Sequence, residues 1–111
     1  MEQAVLNIPK YIYHATPYEN LTKILNTGIE ARNDDGVYCT NGPIGAVAFL
    51  YIRGYRDIIV FKIDTDKLNK DLLFEGEDHN KSYFEYIQVF VYPELIKTTM
   101  LDVMETRRFK Y

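Results

Sequence analysis

Hydrophobic spacing changes its period early in the chain. The run "KYIYHA" (10–15) alternates in the two-residue manner of a strand, and "TPYENLTKILNTG" (16–28) then places Leu21, Ile24 and Leu25 on one helical face. Thr16, Pro17 and Glu19 form an N-terminal helix signature: a hydroxyl for the first unpaired N–H groups, a proline whose missing donor does no harm, and a carboxylate that reaches back. Gly28 supplies the stop. A second helix is predicted from "NGP" (41–43), with Pro43 in its first turn, Ala46, Val47 and Leu50 on one side and Gly54 at its end.

Most of the remaining apolar runs read as strands: "GVYCT" (36–40), "DIIVFKID" (57–64), "LLF" (72–74), "FEYIQVFVY" (84–92) and "IKTTMLDVME" (96–105). "DTDKL" (64–68) reads as a helical turn and the polar "EGEDHNKS" (75–82) as a surface loop. Two short helices among several strands predict an α+β fold with mixed or antiparallel sheet pairing, not a doubly wound parallel sheet. At 111 residues and 47% hydrophobic content the chain suits one domain over its whole length, and no linker or repeat divides it.

Charge and cysteine usage narrow the chemistry. The net charge of −3 provides no general attraction for nucleic acid, although "ETRRFKY" (105–111) gathers Arg107, Arg108 and Lys110 into a small basic patch. The single cysteine, Cys39, has no intrachain disulfide partner, and with two histidines it makes a poor metal set, so no metal is expected. No stretch approaches the roughly 20 apolar residues that cross a bilayer, and the N-terminus lacks a signal-like pattern; a cytoplasmic protein without membrane contact is expected. The ten tyrosines suit a cleft that is half apolar and half wet, as well as strands in general.

Three polar side chains sit at strand positions. If residues 11–14 are extended, Ile12 and His14 share one face, and in the late strand Glu85 shares its face with Ile87, Val89 and Val91. A carboxylate beginning a β-branched row needs donors or solvent, and a cleft supplies both. Tyr38 projects from "GVYCT" just before the second helix. Singly, each has a structural reading: a hydrogen-bonded strand-end histidine, a packed tyrosine, and a strand-edge charge that discourages aggregation.

Together, "YHAT" leading into "ENLTKILNTGIEAR", then "GVYCT", then "FEYIQVFV" resembles the ADP-ribosyltransferase superfamily, in its H-Y-E branch of diphtheria-toxin-like and poly(ADP-ribose)-polymerase-like enzymes. The resemblance spans roughly residues 11–97 and extends to DNA-modifying toxin-type members. It rests on His14, Ala15 and Thr16 at the end of the first strand, Gly36, Val37 and Tyr38 in the next, and Glu85, Tyr86 and Ile87 in the late one.

That likeness implies a small ADP-ribosyltransferase-like fold and NAD as ADP-ribose donor. His14, Tyr38 and Glu85 would be the catalytic set. His14, Ala15, Thr16, Tyr38 and Phe49 would bind the cofactor, with Tyr51 a rival to Phe49 for the second ring against nicotinamide. Thr16 has a second reading as the helix cap. The acceptor would be a macromolecule, protein or nucleic acid, read by the loop before Glu85, with NAD hydrolysis a close variant. Tyr83 stands where arginine-modifying members carry Glu or Gln, which argues against arginine as acceptor. Arg32 reads as a solvated loop residue, with a phosphate contact as its second reading, and His79 as a solvated loop histidine. Two alternatives belong to other classes: a reduced ADP-ribosyltransferase fold that binds a nucleotide or partner and catalyses nothing, and a plain α+β interaction domain in which His14, Tyr38 and Glu85 have structural roles.

Overall fold

The structure, a computed structural model, describes residues 3–4, 7–31, 36–76 and 87–111. Its frame is a seven-stranded sheet: β1 (Gln3–Ala4), β2 (Tyr11–Pro17), β3 (Val37–Thr40), β4 (Asp57–Asp64), β5 (Phe74–Glu75), β6 (Val89–Tyr92) and β7 (Arg107–Lys110). The strand order is β1-β5-β6-β3-β2-β4-β7, and all the pairings described are antiparallel. Among the described residues there are two α-helices, α1 (Leu21–Thr27) and α2 (Pro43–Tyr51). The fold is therefore α+β, as the order of the segments predicts.

Register divides the core between the two faces of the sheet. Ile12, His14 and Thr16 stand opposite Ile63, Phe61 and Ile59 of β4. All of these but His14 are buried, and Ile12, Ile59, Phe61 and Ile63 join Val37, Cys39, Phe90 and Ile24 of α1 in the larger core. On the other face Ala46 and Val47 of α2 pack on Ile58 and Val60, with Tyr13, Ala15 and Leu50 at the margin. Burying such a face stabilises each layer by about 25 cal/mol per Å² of apolar surface. α2 follows the sequence reading closely, with Pro43 in its first turn and Gly54 at φ 99° just beyond its end.

Several expectations change. The first strand does not stop at Ala15; it runs on to Pro17, a 3-10 turn follows at Tyr18–Asn20, and α1 starts only at Leu21. Thr16 is thus a buried strand residue and no helix cap; its hydroxyl accepts from Asn20 Nδ2 at 2.8 Å. Of the predicted helical face, Leu21 and Ile24 meet the core while Leu25 is exposed. In "LLF", Leu72 closes a 3-10 turn and only Phe74 enters a strand. The late strand is β6, Val89–Tyr92; Ile87 and Gln88 precede it outside the strand, and residues 84–86 lie outside the described residues.

The predicted strand at 96–105 is instead two 3-10 turns, Thr98–Met100 and Val103–Glu105, flanked by the single bridges Ile29↔Ile96 and Ile63↔Leu101. A strand the sequence reading lacked, β7, pairs with β4 at the sheet edge.

Candidate functional site

β2 and β3 separate almost as soon as they meet. Their register is a single pair, Tyr13↔Thr40, whereas β3 pairs along its whole length with β6 and β2 along its whole length with β4. A regular ladder would set Ala15 opposite Tyr38. Instead a cleft of about 770 Å³ opens there, walled by α1 and residues 28–31 on one side and by α2 on the other. Its volume falls in the range of about 300–1,000 Å³ that holds small-molecule ligands.

The gap changes which side chains can share a cavity. Consecutive strand residues normally point to opposite faces of a sheet. At a split edge both faces open onto the same space, so His14, Ala15 and Thr16 line the cleft together, and Tyr38 lines it from the other strand.

Glycines secure both sides of this opening. Gly36 enters β3 at φ 126°, and a Cβ there would collide with the Tyr92 carbonyl of β6 and lie 2.8 Å from Pro93 Cα. Gly28, at φ 85°, ends α1 against the Ile96 carbonyl and leads directly into the Ile29↔Ile96 bridge. Other residues strain at these backbone angles.

His14 bridges the gap by its side chain. Its Nδ1–H donates to the Tyr38 carbonyl at 2.7 Å, because that oxygen can only accept. The bond sets the ring's orientation, and in the neutral ring it makes Nε2 the acceptor nitrogen. Tyr38 lies on the α2 side of the sheet with its partner Val91, and its ring passes Gly76, where an added Cβ would stand 3.7 Å from Tyr38 Cε2 and 2.7 Å from Val91 Cγ2. Phe49 reaches the cleft from α2.

Charged and amide residues that line the cleft and that the sequence reading did not select include Asn20, Lys23, Glu30 and Arg53. Lys23 approaches Glu30 at 3.8 Å on the exposed α1 wall. Arg53 could have been found from helical spacing, since Ala46, Phe49, Leu50 and Arg53 recur at the interval of one helix face and all four line the cleft. Tyr51 lies elsewhere: it meets Tyr111 edge-on at 5.1 Å, and the Arg56 guanidinium stacks on it at 3.8 Å.

Glu85 lies outside the described residues, as do Arg32, His79, Tyr83, Phe84 and Tyr86. The expected basic patch at the C-terminus is partly neutralised: Arg108 makes two bonds to Asp57 at 2.9 and 2.8 Å, and Arg107 approaches Glu105. The Arg108 bonds hold the Asp57 carboxyl below the usual carboxylate range. Cys39 is buried in the larger core, which pushes its thiol pKa up and keeps it in the inert thiol form.

Among the described residues no group of three or more His, Cys, Asp or Glu could hold a metal ion, and no helix is long and apolar enough to cross a membrane. No protein-family model and no curated protein matches this chain.

Proposed function

We propose that the chain is an NAD-dependent mono-ADP-ribosyltransferase that transfers ADP-ribose to a macromolecular acceptor. One observation carries the reading: His14, Tyr38 and Phe49, from a strand, a second strand and a helix, line the same cleft at the point where the sheet splits. Ala15 and Thr16 line it as well.

In this reading Tyr38 and Phe49 flank the nicotinamide ring, each aromatic face adding contact that fixes the leaving group. His14, oriented through Nδ1–H and the Tyr38 carbonyl, accepts a hydrogen bond from a ribose hydroxyl at Nε2. Ala15 has no register partner on β3, and its backbone serves the nicotinamide amide. By the resemblance, Glu85 would hydrogen-bond a ribose hydroxyl and set negative charge beside the oxocarbenium that develops as the nicotinamide–ribose bond lengthens. The acceptor's nucleophile bonds to the anomeric carbon, nicotinamide leaves with the bonding pair, and the acceptor's proton is released.

The test is NAD labelled on its adenylate part, incubated with the protein and a lysate while label transfer and nicotinamide release are both followed. Glu85→Gln should keep NAD binding and lower release by about 10²–10³-fold. Calorimetry that finds no NAD binding by the unaltered protein would overturn the proposal. Binding without turnover would favour a nucleotide-binding protein that catalyses nothing.

A further inference from the structure

We propose that residues 51–56, "YIRGYR", together with Tyr111, form a docking surface for single-stranded nucleic acid at the rim of the cleft. Arg53 ties the two regions together, because it lines the cleft and belongs to this segment.

The surface combines flat apolar faces with cations that no acid among the described residues neutralises. Tyr51, Tyr55 and Tyr111 are 42%, 41% and 62% exposed, and Ile52 is exposed between them. Arg56 stacks on Tyr51 and donates to the Tyr51 and Tyr55 carbonyls at 2.9 Å, which holds its charge in place without cancelling it. Among the described residues the ion pairs involve Lys10, Lys23, Lys70, Arg107 and Arg108, and neither Arg53 nor Arg56. On a chain of net charge −3 this is a local site for an anion.

Phosphates alone would need only the arginines, and an apolar partner only the rings. A single-stranded polynucleotide uses both, stacking its bases on aromatic faces while its backbone follows the cations. An acidic peptide supplies the charge without the stacking. Duplex nucleic acid keeps its bases stacked internally.

The proposal deepens the transferase reading by naming the acceptor's class, and it depends on that reading only for the chemistry after docking. Binding is measured without NAD, so failure here leaves NAD chemistry standing, and failure of NAD turnover leaves the docking result intact.

The measurement is fluorescence anisotropy with labelled single-stranded DNA and RNA of about 16 nucleotides, the upper range for one small binding domain. Both are titrated between about 50 and 200 mM salt, the range over which phosphate contacts weaken most visibly. The logarithm of affinity should fall with that of salt at a slope of about −1.4, from two phosphate contacts of about −0.7 each, and Arg53→Glu should reduce the slope to about −0.7 or less. Tyr55→Ala should weaken binding between about fivefold and a hundredfold at unchanged slope.

Arg53 lies in an exposed turn and Tyr55 is exposed just after it, so melting curves of both variants should match the parent and exclude misfolding as the cause. Whichever of DNA and RNA binds more tightly identifies the source. Absence of binding to both strands, variants that bind like the parent, or poly-glutamate that binds as tightly as either strand would overturn the proposal.

Discussion

β2 is held in two different ways on its two sides. Against β4 it keeps register from Tyr11↔Asp64 to Pro17↔Ile58, and against β3 it keeps only Tyr13↔Thr40. The closed side is lined by fully buried Ile58, Phe61 and Ile63, and the open side by His14, Ala15, Thr16 and a cleft. One strand thus supplies rigidity along one edge and a cleft along the other, with the half-buried His14 at its wall. Interrupting the ladder leaves backbone groups that need other partners, and the His14–Tyr38 bond meets part of that need with a side chain. A site built this way inherits its precision from the closed side.

The sharpest way to break the comparison is to damage the closed side. Phe61 pairs with His14 and is 0% exposed. Phe61→Ala should lower stability by about 3–5 kcal/mol through lost burial and a cavity, a large share of the about 5–15 kcal/mol typical of a domain, as read by denaturant unfolding. Ligand binding by whatever folded protein remains should fall too, because β2 would no longer be aligned. Next in size is Gly28→Ala, which forces a Cβ against the Ile96 carbonyl at φ 85°. The expected loss is about 1–3 kcal/mol, and the wall formed by residues 28–31 should loosen with it.

The open side should respond in the opposite proportion. His14→Ala removes the hydrogen bond to the Tyr38 carbonyl at a half-buried position, a bond that contributes about 0.5–1.5 kcal/mol of stability. By the proposed function it should weaken NAD binding about tenfold or more, since one hydrogen bond of about 1.4 kcal/mol is a factor of ten. Phe49→Ala should weaken NAD binding by about threefold to tenfold while Tyr51→Ala leaves it unchanged, because only Phe49 lines the cleft. If His14→Ala proved as damaging to the fold as Phe61→Ala, the open side would be a structural support and the contrast would fail.

The closed side was also the more legible in the sequence. "DIIVFKID" is a strand over the full span expected, since both its faces are buried and aspartates bound it. α2 was legible from its proline and glycine boundaries. Residues 96–105 misled because β-branched composition suggests a strand while the packing forbids one. Ile96 and Leu101 are both buried in the same core yet separated by an odd interval, which a straight strand would turn to opposite faces. The chain bends through 3-10 turns to bury both. β7 was missed because its charged residues hide a single half-buried Phe109, a pattern that suits a sheet edge.

Thr16 read as a cap because its local pattern with Pro17 and Glu19 is a good one; pairing with Ile59 extends the strand through it. At the cleft, His14 and Tyr38 stood out by their strand positions, while Phe49 and the roles of all three came through resemblance. Arg53 was overlooked because a cation beside Gly54 reads as an ordinary helix end.

The smallest effect expected tests how the closed side begins. Lys10 donates to Asp64 at the end of β4 and to Asp66 in the following turn, and Lys70 donates to Asp66 at 2.7 Å. The Lys10 and Lys70 bonds bring the Asp66 carboxyl from its ordinary 3.8 down to about 2, and the two aspartates push the Lys10 ammonium above its usual range. Since the folded carboxyl has the lower pKa, its contribution is full above 3.8 and disappears as pH falls from there towards about 2. For Lys10, whose folded value is raised, the contribution is full below 10.5 and disappears as pH rises through the higher folded value. Between those limits Lys10→Met should lower Tm slightly, because exposed pairs contribute little and salt screens them. The difference from the parent should shrink at about pH 2 and in about 1 M salt. A gap in Tm undiminished under both conditions would mean that Lys10 holds the start of β2 by contacts other than these two ion pairs, such as the approach of its Nζ to the Tyr11 ring at 5.6 Å.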